Sequence, residues 1–268
     1  MATLPRERYR SVRKLADRGL YLGGDGAVGQ GWRVGGAFGY ANSTLRVSER
    51  SSRAITDSFS ATLYGGRAFT LGGGKLKWLF GTAYSWHDAD TDRQANLGGS
   101  TVQSLTASYH ASTAQVFTEA GFAMPLSAAT QVEPYAGVAW SDTRTRSFAE
   151  TGGSAALHSP GDSNTLTTTT LGLRTSARGR VAGTDAAVYV GAGWRHAFGD
   201  IRPATTLAFD GSQPFTVTGA PIAQNAALAE LRADFAISPM ATLALRYTGQ
   251  FGGGNQDHTG TVGLRWRF

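Results

Sequence analysis

The sequence has no cysteine, which excludes disulfides and thiolate metal sites. It has few charges: Asp, Glu, Lys and Arg make up 16%, against about a quarter in an ordinary globular domain. Prolines number only 8, and the helix formers Glu, Lys and Leu are scarce beside Thr, Ser and Gly. No apolar run approaches the ~18 residues of a transmembrane helix, and none near the amino end is long enough for a signal peptide. What the chain does have is glycine, 36 residues of it, with 13 Phe, 9 Tyr and 6 Trp. That composition points to an all-β chain. The mean hydropathy of −0.20 would read as soluble, but the test is blind to membrane strands that are polar at every second position. At 268 residues there is room for a sizeable core or one large barrel.

The net charge of +6 is spread along the chain. The one dense basic cluster is Arg6, Arg8, Arg10, Arg13, Lys14 and Arg18, which reads as a solvated segment rather than a nucleic-acid arm. Residues 1–18 form a basic leader, helical or disordered, with no strand alternation.

The last ten residues are the most informative. Val262, Leu264, Trp266 and Phe268 share one parity, and Thr261, Gly263, Arg265 and Arg267 the other. Alternate side chains of a strand point to opposite faces, so this strand has one apolar and one cationic face. The same division runs back to Leu20. Trp32, Val34, Phe38 and Tyr40 alternate with Arg33 and small residues, and Leu76, Trp78, Phe80, Tyr84 and Trp86 with Lys75, Lys77, Ser85 and His87. About eleven such crossings can be counted, with 205–209 reading as a strand extension. Short connections at 29–31, 72–74, 125–130, 180–185 and 239–241 alternate with longer ones at 43–56, 88–112, 142–163 and 199–225. Short turns on one side and long loops on the other are the outer-membrane pattern. Trp32, Tyr40, Trp78, Trp86, Trp140, Trp194 and Tyr247 fall mostly near strand ends, where the aromatic girdles of such a barrel belong. Arg33, Glu119, Glu133, Arg174, Arg195, Glu230, Arg232, Asp234, Arg246, Arg265 and Arg267 all oppose the bulky apolar side chains. A soluble sandwich would place its charges outside. The expectation is therefore an antiparallel transmembrane β-barrel over residues 19–268, apolar towards lipid and charged towards its lumen.

These residues resemble the translocator (β) domain of bacterial autotransporters, the type V secretion proteins. The resemblance is carried by residues 22–25 (LGGD), 32–40 (WRVGGAFGY), 64–66 (YGG), 83–88 (AYSWHD), 113–117 (TAQVF), 193–200 (GWRHAFGD) and the terminal 266–268 (WRF). It implies a twelve-stranded, monomeric outer-membrane barrel with an upstream passenger and a linker helix threaded through the lumen. It also implies that the last strand, with Val262, Leu264, Trp266 and Phe268, is the signal read by the barrel-assembly machinery. The residues before Leu20 match neither the family's opening strand nor its linker helix. The first strand is thus expected to be missing or replaced by residues 1–18, as in a fragment or a chain whose start is placed too far downstream. The passenger and signal peptide would then lie outside this sequence.

No enzyme constellation emerges: there is no His-Glu-x-x-His, phosphate loop or Gly-x-Ser-x-Gly elbow. Residues 161–164 (GDSN) faintly resemble a GDSL-type esterase serine, but in a long loop they read as turn formers. His87 with Asp88 and Asp90, and His196 with Asp200, read as rim residues. Neither catalysis, cofactor nor metal is expected. The lumen charges read as a salt-bridge ladder that also offers hydrogen bonds to a linker or an exiting polypeptide. A twelve-stranded wall is roughly 24 Å across, leaving room for about one helix of ~10 Å. The alternative function is a small-solute porin or structural barrel without a passenger.

Overall fold

A computed structural model describes residues 13–47, 51–96, 102–253 and 255–266. Eleven long strands form one antiparallel sheet in which each pairs with its neighbours in chain order. They are β1 (Arg13–Val28), β2 (Trp32–Val47), β3 (Ser52–Leu71), β4 (Gly74–Asn96), β5 (Val102–Pro125), β6 (Thr130–Thr145), β9 (Asp162–Val181), β10 (Thr184–Gly199), β13 (Asn225–Phe235), β14 (Ala241–Gly252) and β15 (Asn255–Trp266). Two longer connections carry a small second sheet. It comprises β7 (Phe148–Ala149), β8 (Leu157–Ser159), β11 (Ala204–Phe209) and β12 (Phe215–Thr218), in the order β12-β11-β8-β7. Residues 204–209 are thus an extension, as the sequence suggested, and not a crossing.

The tight turns follow from local chemistry. Gly72 and Gly73 both have positive φ, +54° and +79°, and close the β3–β4 hairpin with Leu71 opposite Gly74. Glycine adopts that geometry without a Cβ penalty.

Three expectations need correction. Residues 13–18 are neither helical nor disordered, because β1 begins at Arg13 and pairs residue by residue with β2, from Arg13 opposite Val47 to Val28 opposite Trp32. Residues 1–12 lie outside the described residues. The supposed loops at 43–56 and 88–112 are mostly strand, since β2–β3 pairing continues to Val47 opposite Ser52 and β4–β5 pairing to Asn96 opposite Val102. Above an apolar band both faces of a strand meet water, so pairing persists while hydrophobic alternation fades. Residues 161–164 likewise straddle the start of β9, with Ser163 paired to Arg144. The strand count of eleven holds; the twelfth strand of the family type is not among the described residues, and β1 and β15 are the sheet's edges.

Among the described residues there is no conventional core. The buried apolar residues are mostly alanines, and among the described residues Leu105 is the largest side chain fully removed from solvent. A soluble chain of this size would bury many Leu, Ile and Phe side chains.

Candidate functional site

The convex face carries the bulky apolar side chains. Trp78, Phe80, Leu264 and Trp266 remain 42%, 38%, 64% and 54% exposed. Along β4 the outward positions run Leu76, Trp78, Phe80, Thr82, Tyr84 and Trp86, then change to Asp88, Asp90 and Asp92. The ten steps from Leu76 to Trp86 span ~33 Å along the strand, or about 25 Å across a bilayer at ~40° tilt. That matches the apolar band of an outer-membrane barrel.

Aromatic clusters mark both margins. At the short-turn end, the Trp32 ring lies 6.0 Å from that of Trp78 and 6.3 Å from Phe69, with the Arg67 guanidinium 4.7 Å above Phe69. At the other end, the Tyr40 ring lies tilted 5.2 Å from that of Phe59, and Tyr84 meets Trp86 edge-on at 4.8 Å. Trp140, Trp194 and Tyr247 also stand on the exposed face.

The concave face is polar. Arg174 on β9 is its hub: Nη1 donates to Glu119 on β5 at 2.5 Å and Nε to Glu230 on β13 at 3.1 Å. Its guanidinium lies 3.6 Å above the Tyr135 ring. Lys77 on β4 pairs with Glu133 on β6. Arg232 pairs with Asp234 on the same strand and lies 4.9 Å from the Tyr189 ring. Arg195 donates to Gln250 at 2.9 Å and to Thr170 at 3.4 Å.

Glycines make these bridges possible. Gly191 lies in register between Arg174 and Glu230, where an added Cβ would come 3.2 Å from the Arg174 side chain and 3.3 Å from that of Glu230. Gly121 lies between Lys77 and β6, where a Cβ would stand 2.6 Å from Glu133 Oε1. Each pair therefore reaches across an intervening strand at a position with no side chain. The inward tyrosines use glycine in the same way. Tyr135 covers Gly172 and Tyr64 covers Gly35, each ring filling the space a Cβ would need.

Glu119, Glu133, Arg174, Glu230, Arg232 and Arg246 line one cavity of about 530 Å³. Asp234 reaches it through Arg232, and Arg195 lines the adjoining hollow. Arg246 stands cross-strand from Arg232 and has no ion-pair partner among the described residues. Two expected members lie elsewhere: Arg33 pairs with Asp25 on β1, and Arg265 is exposed on the edge strand β15. Arg267 and Phe268 lie outside the described residues. Sequence reasoning left Lys77 out of the charged set, although its parity on β4 places it there.

The histidines are occupied as hydrogen-bonding groups. His87 sits between Ser58 Oγ at 2.8 Å and Thr113 Oγ1 at 3.1 Å. Asp88 faces His110 at 2.5 Å, and Asp90 accepts from Ser108 at 2.5 Å. His196 contacts Asn225 at 2.8 Å, while Asp200 accepts from the Thr165 amide at 2.7 Å. No metal-ligand cluster occurs among the described residues. Beyond the apolar band, Tyr109 stacks on Phe148 at 4.6 Å. Burial, and then the negative charge of Asp162, push its phenol above its ordinary pKa.

Comparison with known proteins places this arrangement. Residues 14–248 match the family model described as Autotransporter beta-domain. Two curated relatives, each named "Extracellular serine protease" from Serratia marcescens, are 33% and 32% identical over 251 residues, or 93% of this chain. The chain spans 23% of the length of either relative. The translocator domain of the autotransporter NalP from Neisseria meningitidis has the same fold, with a TM-score of 0.72 at 18% identity over 96% of this chain and 82% of that one. The β domain of the Bordetella autotransporter BrkA gives 0.62 at 20% identity over 96% and 91%. The transport unit of AIDA-I from Escherichia coli gives 0.57 at 16% over 100% and 93%.

Proposed function

Because the chain belongs to the autotransporter β-domain family, we propose that it anchors an attached passenger in the outer membrane and conducts it through a charged lumen to the cell surface. Domains of this family are integral outer-membrane barrels, and the chain is an outer-membrane translocator domain. The observation that carries the reading is the division of faces. A continuous apolar band about one bilayer tall covers the convex side, and the ionic network around Arg174 covers the concave side. Water and a polar polypeptide suit the second face; lipid suits only the first.

The cavity chemistry fits a linker or a passing chain. Its walls offer guanidinium, ammonium and carboxylate groups already held by one another, which can exchange hydrogen bonds without adhering to apolar side chains. Arg246 supplies a cation for an acidic or carbonyl-rich segment. The outward residues Val262, Leu264 and Trp266 stand on the exposed edge strand, where an assembly machine could pair with them, and Phe268 would complete that signal. The protease name of the two relatives belongs to proteins of which this chain matches a minor part. Since the matched stretch is a β-domain, the protease activity is read as a property of the rest of those proteins.

The test is surface display. A signal peptide, a small reporter passenger and this chain, fused in that order, should place the reporter outside intact cells, where added protease removes it. A reporter held in the periplasm while the barrel inserts and passes small solutes would instead establish the porin alternative.

A further inference from the structure

Beyond the apolar band the wall does not stay cylindrical. β7 follows β6, β8 precedes β9, and β11 follows β10 along the chain, yet all three belong to the small second sheet. The junctions bend at Gly161 and Gly199, with φ of +89° and +91°. An added Cβ at either would stand 2.6 or 2.5 Å from a backbone oxygen, Thr145 O or Thr165 O, so both bends need glycine.

The bent segment stays hydrogen-bonded to β5, the neighbour of β6, through Arg146 and Thr151, and from there leans over the mouth towards β2 and β3. Leu45 on β2, Ala54 on β3, Tyr109 on β5, Phe148 on β7, Leu157 on β8 and Leu207 on β11 line one pocket of about 290 Å³. Such a pocket is only about 8 Å across. β2 and β11 lie at distant positions around a wall roughly 24 Å wide, so they can share it only if the wall has folded over its own mouth. Leu105, Ala155 and Ala208 are buried here. It is the nearest thing the described residues have to a core.

One ion pair fastens the fold. Arg93 on β4 grips Glu150 through two bonds of 2.7 and 2.5 Å and also donates to Ala155 O at 2.7 Å. The Glu150 side chain is 8% exposed and also accepts from the Leu157 amide at 2.8 Å. Beside it, Thr106 and Thr151 exchange backbone hydrogen bonds of 3.0 and 2.9 Å.

We propose that this small sheet is a lid over the extracellular mouth, closed in this structure, hinged at Gly161 and Gly199 and latched by Arg93–Glu150. It rests on the translocator reading, because a lid matters only where something leaves. Export then requires the latch to part and the lid to swing off its apolar seat.

The test uses the absence of cysteine. Thr106 and Thr151 form a hydrogen-bonded antiparallel pair, whose Cα separation of ~5.5 Å suits a disulfide. The full chain carrying Thr106→Cys and Thr151→Cys would be inserted in planar bilayers, with heat-modifiable gel mobility confirming that each variant is folded. Oxidised, it should show at least tenfold fewer openings than after reduction; Glu150→Gln should open at least tenfold more often than the parent. Equal conductance of the oxidised and reduced forms, with Glu150→Gln unchanged, would overturn the lid. A folded variant with residues 148–159 replaced by a short turn that conducts nothing would overturn the pore reading and the lid with it.

Discussion

At the scale of residues, the concave face depends on Arg174. It is buried enough that its charge needs company and is held by Glu119 on one side and Glu230 on the other. Removing one carboxylate leaves a half-compensated cation on top of Tyr135. Glu230→Ala should lower stability by about 1–3 kcal/mol, towards the low end because Glu230 itself is partly exposed. Urea unfolding in lipid or detergent would measure it. Adding Glu119→Ala should cost more than the sum of the two single changes, since either carboxylate can cover for the other. The bridges were only half legible in the sequence. Parity put Arg174, Glu119 and Glu230 on one face. Their pairing also required the sheet's register, which places Gly191 between Arg174 and Glu230 and Gly137 opposite Glu119, and a sequence does not print register.

At the scale of elements, each crossing strand states its own inside and outside. On β4, Phe80 points out and Ala83 points in. Phe80→Lys places a charge in the apolar band and should destabilise by about 2–4 kcal/mol, while Ala83→Lys, facing the lumen, should cost under about 1 kcal/mol. Equilibrium unfolding of the two variants in the same lipid separates them. Strands of this kind were legible because lipid forces alternation upon them. Above the band that force disappears. There Asp90 faces Ser108 and Thr106 faces Thr151, polar against polar, so β2 to β5 run on through stretches that read as loops. β1 was missed at its start for a similar reason: Arg13, Lys14, Asp17 and Arg18 hide a strand that only its partner β2 reveals. The lid strands β7, β8 and β12 are too short to show any period.

At the scale of the molecule, the fold is turned inside out relative to a soluble protein. Large apolar side chains cover the outside, alanine and glycine fill the wall, and paired charges occupy the hollow. The stabilising medium is therefore the bilayer itself, and the open edges β1 and β15 carry backbone groups that must find partners before lipid surrounds them.

The most direct measurement is a cysteine scan of β4 from Leu76 to Asp92, one residue at a time, each carrying a spin label in reconstituted membranes. The account predicts a period of two. Labels at 76, 78, 80, 82, 84 and 86 collide with lipid-soluble oxygen, those at 77 to 87 on the odd positions with a water-soluble relaxing agent, and the outward series turns aqueous from Asp88 onward. Accessibility with no alternation, or with the two series exchanged, would contradict it.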